Sequence, residues 1–448
     1  MAMRIPKPSI AAFMTALILA PVPGAFAQEL PNVSHMDFKG RFLVAISDAD
    51  MVASAYSDGR LGPEQGQDTL SVIRLDRPPS QWRASSVPVG NSVVGPPTAM
   101  TLTPDGRYAI VVETRGPRPA DKADGMMTDL PNSRKISVVD LGDPDNPTVI
   151  QTLEGFAQPS TVSINAGGNL VAITYALGGD GRETPLALYR FENGQLSLLS
   201  TPAIPDWTPG DLLIDASLHP QSNILALTNW TRPELTLVEV VGEGEATRVE
   251  RWGNSIALDW YPFTSKFTPD GRHVLSNSIY AGLGTQAPKH GTITSVRLDM
   301  RRDADGAPRH SFVSRAQVGA IPEGLAISPD GKWVATANLE RSSAPHDSPE
   351  QGFFSSLSLL RIDAESGHLT TVGTHAYDGI LPESVVFDNS SRFVAATTFD
   401  QYDGRSPGGS IDFWRISGDH ANADRIELVK TSYTVPVTRG AHVLSIVQ

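Results

Sequence analysis

The sequence predicts an all-β protein, a seven-bladed β-propeller with four antiparallel strands in each blade. The first observation is a twelve-residue unit whose clearest copy, P-E-G-L-A-I-S-P-D-G-K-W, starts at Pro322. Repeats spaced by about 50 to 65 residues are typical of propellers and other repeat architectures. The second observation is a tight turn between two apolar runs inside the unit, and the third is the lack of helical periodicity beyond the first residues. The units start at residues 31, 97, 159, 213, 262, 322 and 382.

Each unit indicates a strand, a turn and a second strand. Asp-Gly between apolar runs is the strongest short-range hairpin signal, and it occurs at Asp105-Gly106, Asp270-Gly271 and Asp330-Gly331. Third and fourth strands are predicted from further runs, of which 135–141 with 148–153 and 355–362 with 369–375 are examples. The third strands are apolar at nearly successive positions, which is typical of strands packed on both faces.

The ring must be closed by pairing the two ends of the chain. Two segments compete for the innermost strand of the first blade, residues 33–36 and residues 442–447. The C-terminal segment has the better strand composition, so we expect it to close the first blade and to cover its exposed edge.

The first residues have the form of a signal peptide. Arg4 and Lys7 precede an apolar stretch at 10–20, and Ala25-Phe26-Ala27 is an A-x-A cleavage site. The apolar stretch is too short to span a bilayer comfortably. We predict cleavage after Ala27, a propeller domain from 28 to 448, no membrane span afterwards, and a bacterial periplasmic or secreted protein.

Composition excludes several classes of function. The chain carries a formal charge of −13, which argues against nucleic acids and anionic membrane surfaces as partners. It has no cysteine, which excludes disulfides and thiolate metal sites. The ten histidines are scattered without metal spacing, so no metal site and no cofactor are expected. Ca²⁺ stays conceivable from carboxylates, although no calcium-loop motif is present. A monomer with an unidentified small-molecule or protein partner is expected.

Loop lengths predict two different faces. The turns between first and second strands are uniformly short and form a plain face. The other loops are long and form an elaborated face, where loops on a rigid ring commonly bind ligands. The alternative is that insertions collect where they do least harm. The long loops span 116–134, 177–184, 281–291, 341–354 and 401–409.

Polar residues end the second strands on the elaborated face. Position seventeen of the units is polar or has a polar tip in every copy: Ser47, Glu113, Tyr175, Asn229, Ser278, Asn338 and Thr398. Position two adds Glu323 and Glu383. Just beyond position seventeen follow Asp48, Asp50, Arg115, Trp230, Arg232, Tyr280, Glu340, Arg341, Asp400 and Tyr402. We expect a binding rim around a central funnel. The alternative is that polar strand ends merely complete the ladders and meet solvent.

Two segments carry a family resemblance. A-L-T-N-W at 226–230 and T-A-N-L-E-R-S at 336–342, after I-S-P-D-G-K-W-V, resemble the YVTN-type and lactonase-like seven-bladed propellers. The resemblance implies the propeller fold and, for some relatives, metal-independent lactone chemistry by a histidine with arginine and acidic residues at the channel mouth. Where such a histidine is expected, this chain has Ser160, Glu323 and Glu383. The nearest substitute is His442, with Arg115 or Arg341 and Glu113 or Glu340 as its companions.

Two functions follow from the sequence. The first is an exported binding scaffold that engages a small ligand or a protein on the elaborated face. The alternative is a lactonase-like hydrolase, of 6-phosphogluconolactonase or carboxymuconate cyclase type, acting in the funnel. The sequence favours the scaffold because the histidine is out of register. A fold-level likeness cannot replace a site.

Overall fold

The computed structural model contains seven antiparallel blades of four strands each, and a short fifth strand joins the sheet of blade four. The structure describes residues 36–64, 66–122, 125–175, 184–280, 289–301, 307–401, 408–418 and 425–448. The seven sheets are the seven blades of a propeller, as predicted. The predicted signal peptide at 1–27 lies outside the described residues.

The strands are numbered in chain order. Blade one contains β1 (Phe42–Ser47), β2 (Thr69–Arg74) and β3 (Ala84–Pro88). Blade two contains β4 (Met100–Leu102), β5 (Tyr108–Val112), β6 (Lys135–Asp140) and β7 (Thr148–Glu154), and blade three contains β8 (Thr161–Ile164), β9 (Leu170–Thr174), β10 (Leu186–Glu192) and β11 (Gln195–Ser200). Blade four contains β12 (Leu213–Leu218), β13 (Ile224–Asn229), β14 (Glu234–Val241) and β15 (Arg248–Arg251), with the short β16 (Ile256–Ala257) beside β14.

The remaining blades follow the same order. Blade five contains β17 (Pro262–Phe267), β18 (His273–Ser278), β19 (Thr292–Arg297) and β20 (Ser311–Gln317); blade six β21 (Pro322–Ile327), β22 (Trp333–Asn338), β23 (Ser355–Ile362) and β24 (Leu369–Tyr377); blade seven β26 (Val385–Phe387), β27 (Phe393–Thr398), β29 (Gly409–Gly418) and β30 (Ile426–Val437). β25 (Gly379–Ile380) pairs with β28 (Asp400–Gln401), and β31 (Ala441–Val447) is the last strand.

The C-terminal strand closes the ring. β31 pairs antiparallel with β1, with Leu43 opposite Ile446 and Ala45 opposite Leu444, so it is the innermost strand of blade one. This confirms the prediction for 442–447. Of the competing segment, residues 33–35 lie outside the described part of the chain.

The anchor of the repeat unit has a conformational cause. Gln158, Tyr261, Ile321 and Leu381 each stand directly before an anchor proline, and all have φ between 51° and 61°. Side chains rarely adopt this left-handed region, and it is least favourable for the β-branched Ile321. The left-handed conformation forms a turn at this position, and the turn directs the following residues into the innermost strand of the blade.

The apolar core lies between neighbouring blades. One cluster joins blades one, two and three through residues such as Val44, Ile110 and Ile173, all fully buried. Equivalent clusters join blades four and five, and blades six and seven. Burying one such aliphatic side chain stabilises the fold by roughly 1.5–3 kcal/mol. Rigid packing between all blades therefore fixes the geometry of the innermost strands.

The loop between β1 and β2 covers the elaborated end of the ring. This plug segment, residues 48–64, contains the one-turn helix α1 (Ala55–Asp58). Its apolar residues, including Met51 and Leu61, pack with Leu130, Leu339 and Phe399 from blades two, six and seven. The sequence did not predict this plug, since a loop of mixed polarity carries no period.

Two arginines hold the plug segment in place. Arg118 donates hydrogen bonds to the carbonyls of Leu61 and Gly62, and Arg439 donates to those of Met51 and Pro63. The described residues also contain 3₁₀ turns at Pro79–Gln81, Met127–Asp129 and Gly244–Ala246. No helix in the described ranges is long and apolar enough to cross a membrane.

Candidate functional site

A cavity of about 460 Å³ runs along the axis of the propeller. The innermost strands of all seven blades line it, and it extends to the turns of the plain face at Pro220, Pro269 and Pro329. Its other end lies near Glu323, below the plug segment. Ligand sites are most often concave pockets of this size with a few convergent polar groups. The candidate site therefore lies on the central axis of the propeller.

A lysine and an aspartate of opposite charge both line the cavity. Lys266 on β17 is half-buried and forms neither a hydrogen bond nor an ion pair with any described residue. Asp215 on β12 is 1% exposed. Its Oδ2 accepts hydrogen bonds from the Ser265 amide at 2.9 Å and the Ser217 hydroxyl at 3.2 Å, and its Oδ1 accepts one from Thr98 at 3.3 Å. Thr98 belongs to blade two, so Asp215 links two non-adjacent blades.

Burial shifts the pKa of both groups. Desolvation raises the pKa of Asp215, while the Lys266 charge and the three hydrogen bonds oppose that rise. Desolvation lowers the pKa of Lys266, and the Asp215 charge opposes that fall. Shifted ionisable groups in a cleft are typical of functional sites, although structural pairs also show them. The arrangement can bind an anionic oxygen at the ammonium and accept a proton at the carboxylate.

Two glutamates occupy the closed end of the cavity. Glu323 on β21 lines the cavity and is 4% exposed, and Glu383, just before β26, is fully buried. Both oxygens of Glu383 and Oε2 of Glu323 lack a hydrogen-bond partner among the described residues. The Tyr56 hydroxyl of the plug segment lies 2.5 Å from the carbonyl of Val93, and its side-chain interaction with Glu383 opposes the rise of the pKa of that carboxyl. Burial raises the pKa of Glu323 to about 8 and that of Glu383 well above its usual value.

The expected polar rim is not formed at position seventeen. Every one of these side chains is buried, with at most 2% of its surface exposed, and none lines the cavity. They bond mostly within their own blades: Tyr175 to Tyr189, Asn229 to Asp211, Asn338 to Ser356 and Ser358, and Thr398 to Asp412. Ser47, Glu113 and Ser278 complete the set. The second strand is not the innermost strand, so its end lies within the blade rather than at the axis.

The residues beyond position seventeen are dispersed over the elaborated face. Trp230 stacks on Tyr261, Tyr280 donates to Asp259, and Glu340 accepts from Ser356. Arg341 forms an exposed ion pair with Glu350, and Asp400 lies 3.7 Å from Arg439. Arg232 pairs with Glu234. Of the predicted binding residues, Glu323 lines the central cavity. Most of loops 177–184, 281–291 and 401–409, with Tyr402, falls outside the described residues.

No described hydrogen bond or ion pair joins the predicted catalytic residues. His442 is 1% exposed and bonds to Asn91, and burial lowers its pKa to about 3. Glu113 bonds to the Ser133 hydroxyl and lies 3.5 Å from Lys135. Arg115 donates to Oδ1 of Asn132 at 2.6 Å. Each group is engaged by a structural partner, so their catalytic role stays a prediction without geometric support.

Three carboxylates at the start of the plug segment form an acidic cluster. Asp48, Asp50 and Asp68 each place an oxygen within 4.8 Å of the others, close enough to hold a metal ion. The Asp48 and Asp68 oxygens already accept backbone amide protons from Asp50, Val93, Ala49 and Asn91. Burial raises the pKa of Asp48 to about 7 and that of Asp68 to about 9. These bonds account for the cluster without an ion.

Sequence reasoning missed Lys266 and Asp215. It followed loop length and the ends of second strands, whereas both residues belong to first strands. The signal was available, since they occupy positions five and three of their units, where the units from residue 97 onward otherwise have apolar, glycine or hydroxyl residues. Alternation along the innermost strand turns such odd positions toward one side.

The fold was compared with known proteins. No family model matches the chain, and no curated protein matches its sequence. Among solved structures, a periplasmic gluconolactonase of Pseudomonas aeruginosa is 14% identical, with a TM-score of 0.59 over 91% of this chain and 99% of that one. A candidate 6-phosphogluconolactonase of Bacteroides uniformis is 14% identical, with a TM-score of 0.58 over 91% and 100%.

A third neighbour carries a different name. A hypothetical selenium-binding protein of Sulfolobus tokodaii is 12% identical, with a TM-score of 0.58 over 92% of this chain and 94% of that one. The shared property is the fold. At these identities, the architecture is common to proteins of different chemistry, as is usual for widespread folds.

Proposed function

We propose that this protein is a lactonase-like hydrolase that opens a small lactone in the central cavity. The observation that carries the proposal is the pair formed by Lys266 and Asp215, two ionisable groups of opposite sign inside one buried cavity. The names of two structural neighbours, a gluconolactonase and a candidate 6-phosphogluconolactonase, support the same reaction class. The sequence alternative is thus favoured over the binding scaffold.

The elaborated face gives the scaffold hypothesis little support. The predicted rim residues at position seventeen are all buried, and the plug segment covers the axis there. A small ligand reaches the ring axis from the plain face, where the cavity meets the turns at Pro220 and Pro269. A cavity of about 460 Å³ accommodates a single five- or six-membered lactone with its substituents.

The reaction needs one base and one positive charge. A water molecule attacks the lactone carbonyl carbon while the Asp215 carboxylate takes its proton, as a general base does. The ammonium of Lys266 stabilises the oxyanion that develops on the carbonyl oxygen. The ring carbon–oxygen bond then breaks, the leaving oxygen takes the proton from Asp215, and a hydroxy acid is released. Ser265, Ser217 and Thr98 hold Asp215 in position throughout.

Place and assembly are proposed from the sequence. We propose that the hydrolase works after export to the periplasm or the exterior, as the segment at 1–27 predicts, and that it acts as a monomer without a cofactor. The periplasmic neighbour is consistent with this location.

Hydrolysis of a lactone panel by the chain from residue 28 tests the proposal. Sugar and aliphatic lactones are supplied at pH 7.5, and acid release is followed by titration. We expect Lys266→Met to lower kcat/KM by about 100-fold or more, the usual effect of removing one oxyanion-stabilising group. Lys332→Met is the control, because Lys332 is an exposed lysine on the plain face that does not line the cavity. Equal activity in both variants would refute the assignment.

A further inference from the structure

We propose that the closed end of the central cavity binds a hard divalent cation, of the Ca²⁺ or Mg²⁺ type, between the carboxylates of Glu323 and Glu383. This site is independent of the proposed hydrolase function. Glu323 is near the start of β21 in blade six, and Glu383 lies just before β26 in the neighbouring blade seven.

Unpaired buried oxygens carry the proposal. Glu323 and Glu383 are 4% and 0% exposed, yet three of their four carboxylate oxygens meet no hydrogen-bond donor among the described residues. Buried polar groups are almost always paired, and exceptions call for a ligand, an ion or a catalytic role. Leaving a carboxylate unpaired in the interior is far more costly than leaving a neutral group unpaired. An ion between the two carboxylates removes both costs at once.

The two glutamates do not satisfy each other. No hydrogen bond joins them among the described residues, and the charge of Glu323 raises the pKa of Glu383. The Tyr56 hydroxyl lies 2.5 Å from the carbonyl of Val93 and also interacts with Glu383, so one proton serves two acceptors. The carboxylate oxygens that remain without a donor match the oxygen ligands of a hard cation.

Charge indicates a divalent ion. Ionised, the two carboxylates carry two negative charges, and Asp48 adds to the negative potential at Glu383; a bound cation displaces the protons that burial otherwise favours. Lys266 is the nearest described lysine that lines the cavity, and it occupies position five of its unit, whereas Glu323 occupies position two. These three positions correspond to about 10 Å along the axis at the usual rise per residue. Arg439 is engaged with Asp400 and with carbonyls of the plug segment. A dication neutralises the two carboxylates, with water filling the remaining coordination positions as Mg²⁺ and Ca²⁺ commonly allow.

Calorimetric titration of the full-length mature chain tests the site without reference to hydrolysis. The protein is treated with EDTA, dialysed and titrated separately with CaCl₂ and MgCl₂. We expect one ion per chain for at least one of the two salts, and a rise of the melting temperature with that salt, since a ligand of the folded state stabilises it. Glu383→Gln should weaken binding at least tenfold.

Two control variants locate the ion. Glu340→Gln removes a partly buried carboxylate that bonds to Ser356 and does not line the cavity, and Asp68→Asn disrupts the acidic cluster of the plug segment. Both should bind the ion as the unmodified chain does. No binding by the unmodified chain, or unchanged binding by Glu383→Gln, overturns the proposal. If Glu383→Gln fails to fold, Glu323→Gln provides the same comparison. Lactone hydrolysis can fail without touching any of these outcomes.

Discussion

The imidazole Nε2 of His442 lies 2.7 Å from Oδ1 of Asn91, across 351 residues of chain. The Asn91 amide nitrogen donates to the carbonyls of Ser47 and Val89, so its oxygen is the group that faces the histidine. Nε2 of His442 is therefore the donor of this hydrogen bond. The bond ties the closing strand of the propeller to the connection between blades one and two, and it gives His442 a structural role.

This bond predicts an acid-dependent loss of stability. Burial lowers the pKa of His442 to about 3 in the folded state, against 6.5 for an ordinary histidine. Between these two pKa values the imidazole is protonated in the unfolded chain but not in the folded chain. The free energy of unfolding therefore falls by about 1.4 kcal/mol per pH unit as pH drops below about 6. His442→Gln keeps a donor and cannot titrate. Urea unfolding at several pH values should show a flatter acid slope for this variant, and identical slopes would contradict the neutral histidine.

Ring closure by β31 predicts a strong effect of one leucine. Leu444 is 4% exposed and packs between blades one and seven. Leu444→Ala should lower the free energy of unfolding by about 2–5 kcal/mol, the range for buried leucines. Leu198→Ala is the matched control, because Leu198 is 51% exposed on an outer strand, and it should change stability by less than about 0.5 kcal/mol. Similar small losses for both would mean that the C-terminal strand is not docked.

The buried ends of the second strands predict a contrast between two neighbouring residues. Asn338 donates to Ser356 and Ser358 and is fully buried, so Asn338→Ala should cost about 1–3 kcal/mol of stability. Arg341→Ala removes an exposed ion pair and should cost about 1 kcal/mol or less. Thermal unfolding monitored by circular dichroism measures both. If the Asn338→Ala protein were as stable as the Arg341→Ala protein, Asn338 would not be a buried, hydrogen-bonded residue, and the prediction of an exposed polar rim would be supported again.

The pair in the cavity predicts a shift in pH dependence. Hydrolysis needs ionised Asp215, whose pKa is raised by burial, so activity should fall on acidification at a higher pH than an ordinary carboxylate would give. The positive charge of Lys266 opposes that rise. Residual activity of Lys266→Met should therefore fall at a still higher pH than that of the unmodified protein. The measurement is kcat/KM against pH, and an acid limb that stays in place would separate the two residues.

The fold was predictable because each repeat unit contains short sequence signals that determine its local structure. Asp-Gly turns, anchor prolines and alternating strands specify each hairpin, and the C-terminal apolar run had better strand composition than its competitor. The site was predictable only in part. Glu323 was selected from position two of its unit, and it does line the cavity. Asn229 and Asn338 lie within their blades because each ends a second strand rather than the innermost strand, and that order of strands from the axis outward is known only once the ring is formed.

The plug segment shows the same limit. Its contacts join residues from blades two, six and seven, so the position of Tyr56 over Glu383 depends on sequence separations of several hundred residues. Lys266 and Asp215 come from adjacent units and acquire meaning only once both strands face one axis. When side chains come together only because the ring closes, the sequence alone cannot show which of them belong to a functional site.

A cysteine placed in the cavity tests the central claim, that chemistry takes place on the propeller axis. The chain has no cysteine, so Ala326→Cys, on the innermost strand of blade six, provides a single thiol in the cavity. Ser57→Cys, on the exposed side of the plug segment, is the control. The measurement is lactone hydrolysis after reaction with a small methanethiosulfonate reagent. We expect labelling at residue 326 to abolish hydrolysis, substrate to slow that labelling, and labelling at residue 57 to leave activity intact. Full activity with residue 326 modified would contradict the account.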